Sequence, residues 1–243
     1  MIQETELIYL QDAYQRELET EVINVVPDGD GNTYVYLDAT IFYPEGGGQP
    51  SDTGIIQGKD GRAQMLHARY RGGVVAHRSE IEGSLKAGDT VKCMLNWEER
   101  HHNMRAHSAG HVLHDALISL PHPANLFPLK GNHKKCYVDY SGDALAPELA
   151  EALEEKCNEI IQADLETHIR TVDLQELKQI CRFVPPNLPA DKPLRVLWLD
   201  GYDPMPCGGT HVRSTAEIGG MKILRVGTKR KVNHIKYQIF DRI

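Results

Sequence analysis

The sequence predicts an α+β protein, in which a small antiparallel β-barrel with a Gly-rich loop is followed by an α+β domain that carries a metal site. Residues 1–95 consist of short apolar and β-branched runs separated by regularly spaced turn formers. Residues 96–243 mix helical and extended patterns and contain two motifs rich in His and Cys. We therefore predict two domains, 1–95 and 96–243.

The first domain is predicted from seven runs rich in apolar and β-branched residues. Gly, Asn and Asp cluster between the runs, and because these residues tolerate positive φ, each cluster marks a turn. Strands at such regular spacing favour a small antiparallel barrel. The predicted strands are Glu6–Tyr14, Glu21–Val26, Tyr34–Leu37, Thr53–Gln57, Gln64–Tyr70, Val74–Arg78 and Val91–Leu95.

The second domain begins with a predicted helix. Asn96 can cap this helix while Glu99 reaches back in a capping box, and two prolines after Leu120 end it. A second helix starts near Pro147, since proline is accepted in a first helical turn, and a short third helix covers Leu174–Cys181. The apolar stripe of the second helix is Leu149, Leu153, Cys157, Ile160 and Ile161, and the strands predicted after the Pro-rich loop Val184–Pro193 are Leu194–Asp200, Met221–Val226 and Ile235–Phe240.

The composition points to a cytoplasmic protein. Of the 243 residues 41% are hydrophobic and 25% are charged, with neither a membrane-length apolar run nor a signal peptide at the N-terminus. Five cysteines is an odd number without compact disulfide spacing, so we expect free thiols and a reducing compartment. Four of these cysteines fit small buried apolar residues, Cys157 most clearly.

The formal net charge of −7 argues against a protein that coats nucleic acid non-specifically. A single defined contact through a local basic patch stays open. The candidate patches are Lys130 with Lys134 and Lys135, and Lys229–Lys231. Each reads equally well as a solvated turn.

Two motifs carry the predicted metal chemistry. His107 and His111 are four residues apart on the first helix, which places both imidazoles on one face about 6 Å apart along the axis. Cys207 and His211 are separated by a short segment with two glycines. Three imidazoles and one thiolate suit tetrahedral Zn²⁺, so we predict one zinc ion per chain.

Two neighbours on the same helix refine this reading. A zincin metalloprotease needs Glu directly after its first His, and Ser108 occupies that position, which argues against peptide hydrolysis by that mechanism. His114 is a rival ligand on the same helix face, ranked lower because Cys207 and His211 complete the set.

Three motifs follow one another along the chain: the segment Phe42–Gly54, which reads FYPEGGGQPSDTG, the His107/His111 helix, and Cys207–Val212, which reads CGGTHV. In this order they resemble the editing domain of alanyl-tRNA synthetase. The similarity is closer still to the free-standing AlaX trans-editing proteins, in their medium-sized subclass, and it spans nearly the whole chain. No aminoacylation domain accompanies these motifs, so ATP-dependent charging is not expected.

The resemblance implies a barrel joined to a metal-bearing α+β domain, and a hydrolase that removes serine from mischarged tRNA(Ala), with Gly-tRNA(Ala) as a second candidate substrate. The ion either activates water or shapes the site and positions the substrate, and the sequence leaves both open. The catalytic group is likewise unassigned. The substrate-binding candidates are Gly46, Gly47, Gly48, Gln49, Thr40, Asn132 and Lys130.

Two other functions stay open at this point. Four protein ligands without an obvious general base also suit a non-catalytic zinc module that binds tRNA or a protein. Threonyl-tRNA synthetase editing domains resemble the same metal arrangement, so an editing hydrolase for Ser-tRNA(Thr) is the other alternative. The Gly-rich segment beginning at Phe42 favours the alanine branch.

Overall fold

The computed structural model describes residues 4–28, 31–121, 126–186, 188 and 192–241. The chain divides into two compact units, Met1–Gly46 with Pro50–Asn103, and Gly47–Gln49 with Met104–Ile243. Part of the predicted Pro-rich loop, residues 187 and 189–191, lies outside the described residues. The functional division at residues 95 and 96 stays a prediction.

A closed six-stranded barrel forms the first unit, which confirms the predicted antiparallel barrel. The strands of this unit are β1 (Glu6–Leu7), β2 (Glu17–Pro27), β3 (Thr33–Leu37), β4 (Ala39–Thr40), β5 (Gly54–Gln57), β6 (Gly61–Arg71), β7 (Val74–Gly83) and β8 (Thr90–Leu95). Six of them follow one another around the barrel in the order β2-β3-β7-β6-β5-β8, and every neighbouring pair is antiparallel.

Alternation along the strands explains the barrel core. Every second side chain of β3 and β7 is buried, for example Val35 and Leu37 on one strand and Val75 on the other. Their interior neighbours include Ile56 and Met65, both without exposed surface. Burying such side chains stabilises the unit by about 1.5–3 kcal/mol each.

The predicted strand Glu6–Tyr14 is wrong. Only β1 is extended, in a short parallel pairing with β4, and a 3-10 turn follows at Ile8–Leu10. The reason is packing, because Tyr9 is buried with its ring edge-on to Tyr43, 5.3 Å between centroids. If the strand continued, its side chains would alternate between two faces, and the contact between Tyr9 and Tyr43 would be lost.

The Gly-rich loop is the segment between Tyr43 and Asp52, and these two residues form its stem within the barrel unit. The N–H of Asp52 donates to the carbonyl of Tyr43 (3.0 Å), and the N–H of Tyr43 donates to Oδ2 of Asp52 (2.6 Å). Nε of Arg100 donates to both oxygens of Asp52, and neither side chain has exposed surface. Arg100 also donates to the carbonyls of Ala13 (2.8 Å) and Ile41 (2.6 Å). Residues 43 and 52 are thus held together at the stem of the loop.

The first helix, α1 (Trp97–Ser119), is present as predicted, but its start is not a capping box. The N–H of Asn96 donates to the carbonyl of Thr53 (2.9 Å) and is therefore already paired. Glu99 accepts from the Asn96 side-chain amide (3.3 Å) and from the Thr53 hydroxyl instead. A tertiary contact replaces the predicted local one.

The second unit contains two sheets and the rest of the helices. The predicted helices are confirmed as α2 (Leu149–Gln162), with Leu153, Cys157, Ile160 and Ile161 buried, and α3 (Leu174–Ile180), capped by the Asp173 carboxylate. The strands are β9 (Phe127–Asn132), β10 (Tyr137–Ser141), β11 (Thr167–Val172), β12 (Leu194–Leu199), β13 (Met205–Pro206), β14 (Gly220–Lys229) and β15 (Val232–Phe240). They form two sheets with the strand orders β14-β15-β10-β9 and β11-β12-β13. The α+β class is confirmed.

Among the described residues, no helix is long and apolar enough to cross a membrane.

Candidate metal centre

Two elements of the second unit bring the four predicted ligands together. On α1, His107 and His111 lie one turn apart, with ring centroids 5.4 Å from each other. Cys207 and His211 follow β13, and the N–H of Cys207 donates to the carbonyl of Arg195 on β12 (3.0 Å). The helical spacing and this backbone bond position the two motifs.

The ligand atoms converge on one point. Sγ of Cys207 lies 3.4 Å from Nε2 of His107 and 3.2 Å from Nε2 of His211. Together with His111, one potential ligand atom from each residue lies within 4.8 Å of every other. These four residues could therefore hold a metal ion, and three nitrogens with one sulfur match the donors that zinc accepts. His107 and His211 are buried, whereas His111 and Cys207 are half-buried and form the accessible side.

Gln49 sets the tautomer of His107. The backbone N–H of Thr210 donates to Oε1 of Gln49 (3.0 Å), and Nε2 of Gln49 donates to the Thr210 hydroxyl (2.7 Å). This pairing fixes which end of the amide is oxygen. Nδ1 of His107, 2.8 Å from that oxygen, must therefore carry the proton, which leaves the lone pair of Nε2 facing Cys207.

Ser108 plays the corresponding part beside His211. Its hydroxyl oxygen lies 3.2 Å from Nδ1 of His211 and accepts from the N–H of Val212 (3.2 Å). The Nε2 atom of His211 is the one that faces Cys207. Ser108, which occupies the position of the zincin glutamate, thus orients the predicted ligand His211.

Close packing explains the second glycine of the CGGTH motif. A Cβ at Gly209 would collide with the ring of His107 and lie 2.9 Å from Oε1 of Gln49. A Cβ at Gly208 would meet nothing within 4 Å. Only Gly209 is required for the approach of this loop to the helix.

The Gly-rich loop reaches the same centre through backbone contacts. The carbonyl of Gly48 accepts from the N–H of His133 (2.8 Å), and a Cβ at Gly48 would collide with the carbonyl of Gly131. Gly47 and Gly48 have φ of +57° and +84°, which disfavours a side chain at either position. These contacts hold Gln49 against His107.

His133 is a residue of the centre that the sequence analysis missed. Its ring stacks on that of His107 at 4.1 Å between centroids, and its Nδ1 lies 3.2 Å from the hydroxyl of Tyr237. A Cβ at Gly110 or at Gly131 would lie 2.7 or 2.8 Å from this ring, so the two glycines make room for it. The sequence feature that could have indicated His133 is its position two residues after Gly131.

Arg195 stabilises the cysteine loop. Its guanidinium donates to the carbonyls of Cys207 (3.5 Å) and Gly209. Its charge lowers the pKa of the Cys207 thiol, as does the N–H of Gly209, although burial is the larger effect and raises that pKa.

Burial keeps the imidazoles neutral. It lowers the pKa of His111 to about 4 and that of His133 to about 3, and it holds the pKa of His107 and His211 well below the ordinary value. Mutual repulsion among these rings and the Arg195 charge act in the same direction. Neutral imidazole is the form that binds a metal.

The other predicted residues lie at various distances from this centre. His114 packs its ring on Tyr140 and Phe183, outside the ligand group. Lys130 is exposed on β9, with its ammonium 5.8 Å from the ring centre of Tyr137.

The remaining candidates occupy turns or the barrel interior. Asn132 accepts from the N–H of Lys135 in a turn (2.9 Å), and the carbonyl of Gly46 accepts from the Tyr43 hydroxyl (3.0 Å). Thr40 is buried in the barrel unit, where its hydroxyl lies 2.8 Å from Nε2 of His77.

Two family models match the chain, and both describe parts of tRNA synthetases. Residues 6–99 match the family of tRNA synthetases class II (A), and residues 194–234 match the second additional domain of threonyl and alanyl tRNA synthetases. The second match contains Cys207 and His211. The barrel and the segment that carries Cys207 and His211 are thus of a class found in tRNA synthetases, while His107 and His111 lie between the two matches.

Individual relatives narrow this class. The alanyl-tRNA editing protein AlaX-M of Methanosarcina barkeri is 32% identical over 242 residues, which are 96% of this chain and 98% of that protein. The alanyl-tRNA editing protein AlaX-L of Pyrococcus horikoshii is 33% identical over 93% of this chain and 55% of its own length. An alanine–tRNA ligase of Halobacterium salinarum is 34% identical over 91% of this chain, although that match covers only 24% of the ligase.

The chain spans about half of the AlaX-L relative and nearly all of the AlaX-M relative. It belongs to the AlaX family of alanyl-tRNA editing proteins.

Proposed function

We propose that this chain is a cytoplasmic hydrolase that deacylates mischarged Ser-tRNA(Ala), with Gly-tRNA(Ala) as a second candidate substrate. The observation that supports this most strongly is the convergence of His107, His111, Cys207 and His211 in a member of the AlaX family. An aminoacyl ester is an activated bond, so a modest site suffices to cleave it.

The proposed ligands of one Zn²⁺ ion per chain are these same four residues. Three neutral imidazoles and a thiol that loses its proton on binding form a donor set suited to zinc. When bound, such an ion supplies Lewis-acid chemistry and fixes the position of a substrate group.

The chain's own groups perform the orienting tasks. Gln49 holds the Nδ1 proton of His107, Ser108 lies against His211, and Arg195 restrains the loop of Cys207. Substrate approaches from the side of His111 and Cys207, because the other two ligands are buried. Locked ligands of this kind need no rearrangement during the reaction.

We assign the substrate contacts to the Gly-rich loop and to the C-terminal half of β9. The backbone of Gly46, Gly47 and Gly48 allows close approach, and Asn132 and Lys130 supply an amide and a charge. Gln49 orients the ligand His107, and its direct contact with the substrate stays a prediction. A direct contact by Thr40 stays a prediction, since its hydroxyl is already paired with His77.

Selectivity for serine follows from hydrogen bonding. A polar group aimed at the serine hydroxyl would be left unpaired by alanine, and that loss discriminates far more strongly than the volume of one methyl group. The enzyme should therefore spare correctly charged Ala-tRNA(Ala).

A deacylation panel tests the proposal. Purified protein is given Ser-, Gly- and Ala-tRNA(Ala) and Ser-tRNA(Thr), with Cys207→Ala as the control for the metal centre. We expect rapid loss of serine from tRNA(Ala), slow loss of alanine, and little activity in the variant.

Each other outcome supports a different function. Preference for Ser-tRNA(Thr) would assign the chain to the threonine branch. Binding of tRNA without turnover by the zinc-loaded protein would indicate the non-catalytic module. Comparable rates for Ser- and Ala-tRNA(Ala) would rule out trans-editing.

A further inference from the structure

One outer face of the barrel combines cationic and aromatic side chains on three adjacent strands. The register of β3, β7 and β6 places Tyr34, Arg78 and His67 in one row. The next row consists of Tyr36, Ala76 and Arg69. We call these rows together with Arg71, which lies opposite Val74, the barrel patch.

Alternation fixes the orientation of the patch. The intervening residues Val35, His77 and Ala68 have no exposed surface and point into the barrel. Arg69 and Arg71 are exposed, and Tyr34, Tyr36 and Arg78 are half-buried. Side chains of successive strand residues point to opposite faces, so the patch members share the outside.

A cavity opens on this face. It has a volume of about 360 Å³ and is lined by Asp28, Tyr34, His67, Arg69 and Arg78. In the next row, the small side chain of Ala76 lies between Tyr36 and Arg69, which are two strands and about 10 Å apart. The face thus offers aromatic rings on β3 and guanidinium groups on β6 and β7.

The charge of the patch contrasts with that of the chain. The whole sequence carries −7, whereas the patch contributes three arginines and a histidine. Asp28 is buried against Arg78 (3.1 Å), and Glu45 is bound to His67 (2.9 Å). Those carboxylates hold two of the bases in place and leave Arg69 and Arg71 exposed to a ligand.

The patch adjoins the stem of the Gly-rich loop. Ala68 lies between His67 and Arg69, and its carbonyl accepts from the N–H of Glu45 (3.0 Å). Its N–H donates to the hydroxyl of Ser51 (2.6 Å). The strand that carries the arginines therefore also holds both sides of that loop.

We propose that the barrel patch binds unpaired nucleotides of the tRNA substrate, with Arg69 and Arg71 on phosphates and Tyr34 and Tyr36 stacked on bases. This inference rests on the proposed function for the identity of the RNA. Exposed cations interleaved with aromatic rings on a sheet face are the recurring chemistry of single-stranded RNA binding. A double helix would offer the tyrosines no free base faces.

The test measures binding of uncharged tRNA(Ala) and of a short single-stranded RNA by the full chain. In the double variant Arg69→Gln/Arg71→Gln, the dissociation constant should rise about tenfold. The slope of the logarithm of the binding constant against the logarithm of the salt concentration should become shallower by about 0.7–0.9 for each lost phosphate contact. Tyr36→Leu should weaken binding of the single strand more than binding of an RNA duplex.

Arg62→Gln is the control. It removes one positive charge from the same strand β6, seven residues and about 23 Å from Arg69, and the single variant Arg69→Gln is its charge-matched partner. Equal affinity of the double variant and this control would overturn the proposal, and so would a wild-type chain that does not bind tRNA. If the wild-type chain binds tRNA but does not deacylate it, the proposed function alone is refuted. The melting temperature of each variant is measured to check that it is folded.

Discussion

Asp52 and Arg100 form an ion pair without solvent exposure at the base of the Gly-rich loop, and the backbone of Tyr43 completes it. One buried contact therefore closes the loop stem and fastens it to the first turns of α1. A buried pair of this kind is sensitive to the loss of one partner, since the other charge is then left uncompensated.

Replacement of Asp52 by Asn should lower the free energy of unfolding by about 3–5 kcal/mol, because Arg100 would stay buried without its counterion. Urea denaturation measures this loss. Asp60→Asn, in an exposed turn of the same unit, should change stability by less than about 0.5 kcal/mol. Similar stabilities for the two variants would contradict the structural role of the pair.

The metal prediction is tested on the helix itself. His107→Ala should reduce zinc content well below one ion per chain and lower the melting temperature, since metal-binding energy is also folding energy. His102→Ala is the control, because His102 is exposed on the same helix. Elemental analysis that finds no zinc in wild-type protein purified without chelator would refute the assignment.

Gln49→Leu should lower zinc affinity about 10- to 100-fold, because His107 loses the acceptor that selects its tautomer. Competition with a chromogenic chelator measures this affinity. Gln57→Leu, at an exposed glutamine of the barrel, should retain wild-type affinity. Unchanged affinity in Gln49→Leu would show that the acceptor is dispensable.

The two glycines of the cysteine loop make a matched pair. Gly209→Ala should impair both zinc binding and deacylation, because its methyl group meets the His107 ring, whereas Gly208→Ala has open space. Zinc content and deacylation rate of both variants are compared. Equal behaviour of the two would show that the loop yields to the added methyl group.

His77 predicts a pH dependence of stability. Burial lowers its pKa from 6.5 to about 4, so the unfolded chain takes up a proton between these values while the folded chain does not. Stability from this group is therefore complete above pH 6.5 and falls by about 3 kcal/mol toward pH 4.

In His77→Gln this part of the decline should vanish. Urea denaturation from pH 4.5 to 7.5, in the presence of a chelator, compares the slopes of the variant and the wild type. Parallel slopes would show that His77 does not contribute. The stability that the variant loses at pH 7.5, above the pKa of His77 in both states, reports only the change in packing.

Local pattern predicted much of this fold. The barrel followed from turn formers between alternating runs, and α2 followed from one apolar stripe. Strands β9, β10, β11 and β13 were missed. A proline, Pro128 or Pro206, disfavours a strand in β9 and β13, and β10 and β11 are runs of only five and six residues that mix polar and apolar side chains. The capping box failed because Thr53 took the N–H of Asn96.

The site was predictable in part for a similar reason. Ligand spacing within each motif is local, so His107, His111, Cys207 and His211 could be named from the sequence. His133, Arg195 and Thr210 join the centre only through the fold.

The bond between Gln49 and Thr210 joins residues 161 positions apart in the chain, and that between Gln49 and His107 spans 58. Contacts of such long range form slowly, since the entropy of closing large loops is lost before the contacts stabilise anything. The metal centre should therefore assemble late in folding, and a nascent chain should acquire its ion only after His211 has been synthesised and has met the helix of His107 and His111.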